Sequence, residues 1–462
     1  MSNELPNYVA SATPVPQANR VPWYLSTAQT YAGIMLWFVF WQKIAAGPTS
    51  PSGQPYAGGF LSQGYLLALG AVVVAALICH FAFYLVPGML GLKTGLPLYI
   101  VGTSTYGVSG GFLMPGFLMG LLQFGWLSVG AMAGGELLCS PLGLAEGSIV
   151  PKVVACVWAI AAAFVGLKGI RYVGRVASFT PIIPIIALGI LAFGTLGGLG
   201  KFDPQALVQA GVDSKAEAAL PASTVFCMIV GLIVGFFATA GAAGVDFGMN
   251  NRDAKDVHLG GLVGVALSTI IAGGLGMLVV AGGFGLGIAK NFVSTDMLIS
   301  ILGAKPAAVL MWLLAIAAFP STCFSSFIAA NSFKTTLPKV NPMITVGLGT
   351  LGSIILAVSG LAGNLIGVFS IIGASFGPIC GAMMADYLLA GRKWNGPRAG
   401  FNPAGWISWA LGFFVGAADF IPFMAGKIPA PPVAAFIVGF VVYLLLAKAG
   451  MLSKTLEMPA KK

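Results

Sequence analysis

The sequence predicts an all-α polytopic membrane protein with twelve transmembrane helices, on three observations. First, 58 % of its 462 residues are hydrophobic and only 8 % are charged, whereas soluble domains run nearer a quarter charged; mean hydropathy is +0.94. Second, the apolar residues come in runs of about 20, the length that crosses a bilayer core as a helix. Third, Lys and Arg alternate between rich and poor gaps, as the positive-inside rule requires.

Taken in order, the first segment (29–46) holds Gly33-Ile-Met-Leu-Trp-Phe-Val-Phe-Trp-Gln-Lys43 and runs into a helix-poor Ala-Ala-Gly-Pro stretch. Lys43 fits either snorkelling to the outer interface or a fixed charge in an entry vestibule. The second (60–88) carries His80, a packing residue or a proton carrier. The third (111–138) places Gln123 and Trp126 three apart on one face, where an amide and a large ring either line a pocket for a flat heterocycle or pack between helices. The fourth (149–167) and fifth (176–199) are plain apolar runs. The sixth (223–248) contains Gly235-Phe-Phe-Ala-Thr-Ala-Gly-Ala-Ala-Gly244. Those glycines mark a discontinuous helix or close packing. The seventh (259–288), eighth (306–331), ninth (342–360), tenth (363–389), eleventh (404–423) and twelfth (430–449) complete the set. Interruptions in segments one and six are the relation expected of two inverted five-helix repeats.

With both termini cytoplasmic, only Lys152, Lys201, Lys215, Lys290, Lys305 and Lys427 fall outside. Sixteen Lys and Arg fall inside, and Lys43 lies within the first segment. The expected divisions are a cytoplasmic N-terminal tail (1–28), a first repeat (29–199), an extracellular loop (200–222), an inverted second repeat (223–389), helices eleven and twelve (390–449) and a cytoplasmic tail (450–462). Asp246 and Asp386 sit at inner helix ends close to Arg252 and Arg392, as solvated salt bridges or as pairs that hold an inner gate shut. Glu136 and Asp419 fall near outer ends.

The composition excludes a soluble enzyme, a disulfide scaffold and a nucleic-acid binder. The six cysteines lack bridge or metal-ligand spacing and read as small hydrophobes. The first 20 residues lack a charged start and short apolar core, so no cleaved signal peptide is implied. With two histidines, no phosphate loop and no paired intramembrane carboxylates, a transporter or channel is expected rather than an enzyme.

Five ordered stretches carry a resemblance. They are Pro14-Val-Pro-Gln17; Gly91-Leu-Lys-Thr-Gly-Leu-Pro; Tyr106-Gly-Val-Ser-Gly-Gly-Phe-Leu-Met-Pro; Ala243-Gly-Val-Asp-Phe with Arg252 and Ala254-Lys255; and Gly377-Pro-Ile-Cys-Gly-Ala-Met-Met-Ala-Asp386 with Arg392-Lys393. From Pro14 to Lys393 the chain resembles the nucleobase:cation symporter-1 family, on its cytosine permease branch. The resemblance implies a LeuT-type fold, with a five-plus-five inverted repeat and two C-terminal helices, in the inner membrane. It implies import of a small planar base, with sodium or a proton co-transported and no cofactor. It places Gln123 and Trp126 on the base, Phe237 on its opposite face and Trp37 in the pocket lining. Carbonyls near Gly33 and Leu36 join eighth-segment groups as cation ligands. There the chain departs from the family: Ala317 and Ala318 stand where polar residues are expected, and Ser321, Thr322, Ser325 and Ser326 serve only if Pro320 shifts the register. The other readings are an amino-acid or small nitrogen-compound transporter of the same fold and, more remotely, a membrane pore or sensor.

Overall fold

Long unbroken apolar runs leave the backbone one way to satisfy its own N–H and C=O groups in lipid, the α-helix. Among the described residues, all regular structure is helical apart from isolated bridges. The computed structural model describes residues 5–36, 45–50, 52–144, 148–168, 170–337 and 339–458. Its principal helices are α1 (Ala28–Met35), α2 (Tyr65–Thr94), α3 (Phe112–Leu142), α4 (Ile149–Lys168), α5 (Arg175–Lys201) and α6 (Ala222–Ala242). They continue with α7 (Ala254–Gly285), α8 (Ala304–Thr336), α9 (Pro342–Val358), α10 (Leu365–Leu389), α11 (Pro403–Gly416) and α12 (Pro431–Lys448). Nine of these described helices, all but α1, α9 and α11, are long and apolar enough to cross a membrane. Their outward faces agree: Phe193 is 97 % exposed and Phe164 and Leu348 are exposed too, a surface that only lipid solvates favourably.

Helix ends carry local signals. Asp253 starts α7 by accepting the Asp256 N–H at 2.9 Å. Asn341 caps Met343 at 2.9 Å ahead of Pro342, and Asn364 caps Gly367 at 3.1 Å. The structure extends the second segment to Thr94, beyond the proline and glycine at 87–88. The preceding turn, Cys79–Tyr84, is π-helical, and this widened turn accommodates a proline without ending the helix. Pro115 of α3 likewise lies within a π turn, Phe112–Phe117. The sixth segment divides: α6 stops at Ala242, and Gly244–Gly248 forms a separate short helix. The eleventh stops at Gly416, seven residues early, in a single 3-10 turn, Ala418–Phe420.

Glycine sets a close seam between α2 and the short helix Gly244–Gly248. A Cβ on Gly91 would lie 2.0 Å from the Val245 carbonyl oxygen, and one on Gly248 equally close to that of Gly88. At the same end of the molecule the N-terminal tail is pinned. Val15 donates to Gly95 O at 2.9 Å, Arg20 Nη1 to Leu92 O at 3.0 Å, and Val21 to Asn250 O at 2.7 Å. These bonds fix the entry to α1 against α2 and the α6–α7 connection.

The buried ion pair corrects one expected pairing. Asp386 meets Arg398 at 3.1 Å, both side chains buried, while Arg392 is exposed. Ser104 Oγ and Tyr443 Oη also donate to Asp386, and Arg398 donates to the Ser104 carbonyl. Both oxygens of the carboxylate are thereby engaged, as a buried charge requires. Asp386→Ala should therefore cost about 3–5 kcal/mol by leaving Arg398 uncompensated, read as a lower Tm or loss of monodisperse protein. Arg392→Ala should leave Tm unchanged.

Candidate functional site

The discontinuity in α6 lies beside a cavity of about 170 Å³ bounded by α1, α3, α6, α8 and α10. Gln123 and Trp126 enter it from consecutive turns of α3, Phe237 and Thr239 from α6, Gly33 and Leu36 from α1, and Ser321 and Thr322 from α8. Residues far apart in the chain and named separately from sequence thus share one wall. Trp37 and Lys43 lie outside the described residues.

Gln123 is buried, and its Nε2 is held by the Met119 thioether at 3.5 Å. Sulfur is a weak acceptor, so most of the amide's hydrogen-bonding capacity remains for a ligand. The Trp126 indole is oriented by its Nε1–H, which donates to Thr239 Oγ1 at 3.2 Å. Its ring meets Phe236 edge-on at 4.4 Å and stacks on Phe369 at 5.4 Å with 29° between planes. Phe236 and Phe369 meet edge to face at 4.9 Å. The aromatic cluster is therefore Trp126, Phe236 and Phe369. Phe237 lines the cavity, but it is almost wholly buried and packs toward Gly241.

Helix α8 runs through Pro320 without a break, so no register shift occurs. Ser321, Thr322 and Ala318 nevertheless line the cavity, and both hydroxyls donate to Ala318 O at 2.9 Å, which gathers three oxygens on one turn. Ser325 also lines the cavity. Ser326 does not: it is buried toward Gly166 of α4. On α1, Gly33 O accepts the Leu36 N–H at 3.2 Å. Gly130 of α3 is where α3 and α8 close together, since a Cβ there would lie 2.6 Å from Thr322 Oγ1.

The three gating candidates lie away from the cavity. Asp246 accepts the Leu98 N–H at 3.0 Å. Exposed Arg252 pairs with buried Asp256 at 2.7 Å rather than with Asp246. Its pKa is held above the ordinary value chiefly by that hydrogen bond. Asp386 belongs to the Arg398 network. His80 is buried with Nδ1 against Gly261, between α2 and α7. Phe236, Phe369, Thr239 and Thr30 are cavity residues that sequence reasoning missed. For Thr239 the signal was present, a hydroxyl within the glycine-rich stretch of the sixth segment.

A family model described as permease for cytosine/purines, uracil, thiamine, allantoin matches residues 58–395. The cytosine permease of Escherichia coli K12 is 25 % identical over 411 residues, covering 87 % of this chain and 89 % of that protein. The cytosine permease of E. coli O157:H7 is equally similar, 25 % over 411 residues, with the same coverage. Among solved structures, the inward facing conformation of Mhp1 superposes with a TM-score of 0.68 at 15 % identity, covering 96 % of each chain. Mhp1 in a closed conformation with bromovinylhydantoin bound, described as a nucleobase-cation-symport-1 family transporter, gives 0.66 at 15 %, covering 97 % of this chain and 95 % of that one. A substrate-bound outward-open Na+-coupled sialic acid symporter gives 0.53 at 13 %, covering 96 % and 92 %. The structural likenesses establish the fold.

The Thr239–Trp126 bond yields a double-mutant test. Thr239→Val should weaken the binding of a flat ligand by about 1 kcal/mol, the typical worth of one such bond, in isothermal titration. Combined with Trp126→Phe it should cost no more than Trp126→Phe alone, because both changes remove the same bond.

Proposed function

Because the chain belongs to the family of permeases for cytosine/purines, uracil, thiamine and allantoin, we propose that it imports a nucleobase together with a cation by alternating access. The observation that carries this reading is that an amide, an aromatic cluster and the hydroxyl-bearing residues Ser321 and Thr322 all line one cavity beside an interrupted helix. Transporters of this architecture place substrate and coupling ion at such interruptions. Twelve spans with a five-plus-five inverted repeat, and both termini cytoplasmic, is the topology that agrees with the helix positions and the positive-inside count.

In this reading Trp126 stacks on the base, and Phe369 and Phe236 close around it. Stacking contributes only about 1–3 kcal/mol per base and does not discriminate. Selection falls to Gln123, whose amide offers a donor and an acceptor side by side and leaves a polar group unpaired when the wrong edge is presented. Phe237 supports the wall from behind rather than forming the second face of a sandwich. The Ala318 carbonyl, the Ser321 and Thr322 hydroxyls and the carbonyls of Gly33 and Leu36 are the proposed cation ligands. All are hard oxygen donors suited to sodium; protons are the competing coupling ion. Cation binding would stabilise the state that binds base, and base would raise cation affinity by the same factor.

Thermal-shift binding across bases, hydantoins and amino acids, each in sodium and in choline, tests the proposal. Stabilisation by one base, larger in sodium, is the expected result; Gln123→Ala should sharply reduce it and remove the sodium increment. Ser321→Ala with Thr322→Val should remove the sodium increment and retain base binding. Base stabilisation indifferent to sodium would assign coupling to protons. Stabilisation by amino acids alone would overturn the nucleobase reading.

A further inference from the structure

A second cavity, of about 260 Å³, lies between the start of α6, the start of α10 and the loop joining α11 to α12. It is at the opposite end of α6 from the pinned N-terminal tail, hence outside in the topology proposed above. It shares two helices with the central cavity. Leu232 walls it and Phe236, one turn further along α6, walls the central cavity; on α10, Ile366 and Ser370 flank Phe369 in the same way. Along α6, Phe236 thus lies one turn past the outer cavity, and on α10 Phe369 lies between two residues that line the outer cavity.

Its polar groups make few bonds within the protein. Among the described residues, exposed Ser223 and half-buried Thr224, Ser370 and Cys227 line it with no hydrogen bond to another protein group. Exposed Asp419 accepts the Gly426 N–H at Oδ1 at 3.3 Å, which ties the two ends of this part of the loop together. Lys427 lines the same cavity yet forms no ion pair with Asp419 among the described residues. Opposite charges that share a cavity without meeting leave room for a ligand carrying a donor and an acceptor side by side. Phe60, Met228 and Ile366 supply an apolar wall for a ring face. A nucleobase edge, with a ring carbonyl beside an N–H or amino group, has that alternation.

We propose that this cavity is an outer docking site for the transported base, occupied before the central cavity and recognised by Asp419, Lys427 and the unpartnered hydroxyls. The proposal rests on the nucleobase reading above. Cys227 supplies the probe. In right-side-out vesicles, a membrane-impermeant maleimide is applied with and without cytosine or uracil, whichever is taken up. Cys227 modification is then measured by peptide mass spectrometry. Base at about twice its Kd should slow labelling about threefold, from simple occupancy, in the wild type and in Trp126→Ala and Gln123→Ala, which lack the central site. Asp419→Asn with Lys427→Gln should abolish this protection while keeping base-induced thermal stabilisation, and should lower uptake at low base concentration without changing the maximal rate. Protection that is lost in both central-site variants but kept in the double charge variant would overturn the proposal, since labelling would then report only the central site. No protection, or no labelling even without base, would overturn it as well. Uptake in the same vesicles separates the two readings. Absence of uptake for every base defeats the transport reading, whereas uptake without Cys227 protection defeats the docking site alone.

Discussion

Inside an apolar slab a backbone N–H or C=O has no water to turn to, so a helix can stop there only where protein encloses the stop. The joint at Ala243 meets that condition. Ala243 donates to Thr239 O at 2.9 Å, and Phe247 donates back to Ala243 O at 3.1 Å. A Cβ on Gly244 would lie only 3.1 Å from the Tyr84 carbonyl. Enclosure demands small residues on both sides, which is why glycine recurs at the α2 seam. In return, the joint turns Phe236, Thr239 and Ala243 into wall of a single cavity. The placement of Trp126 follows from Thr239, and that of Phe369 follows from Trp126.

Much of this could be read from the chain. Span positions are legible because apolar run length is set by bilayer thickness, and the Gln123–Trp126 pair because three residues on a helix return to one face. The choice between Phe236 and Phe237 was not legible. Adjacent residues on a helix differ by about 100° in direction, and next to a joint the phase cannot be carried over from either side. Phe369 lies 243 positions beyond Trp126 and joins it by tertiary packing alone. On α8 polar side chains are visible in the sequence, but the Ala318 carbonyl is not, because every residue possesses one and no sequence pattern marks it.

The charge pairs show the same limit. Proximity in sequence suggested Asp386 with Arg392 and Asp246 with Arg252. The chain instead places Arg398 in the protein interior, against Asp386 and Tyr443, and Arg252 one helical turn before Asp256. The second of these was available from the i, i+4 rule. The first was not, because the connection between residues 390 and 402 is non-helical and its path is decided by what α10 and α12 leave open.

Coupling between cation and base needs no long pathway in this architecture. Gly130 is one turn from Trp126 on α3, and its missing side chain leaves room for the Thr322 hydroxyl. A cation held by Thr322, Ser321 and Ala318 O would fix the α8 surface against which α3 packs. Through α3 it would fix the height of the Trp126 ring, whose indole N–H is tied to Thr239 beside the α6 joint. Groups that touch across one glycine have few independent arrangements, because close-packed interiors deform in discrete steps rather than continuously. Differential affinity of the ion for one of those arrangements is then sufficient to bias the base site, and the reciprocal bias follows from linkage.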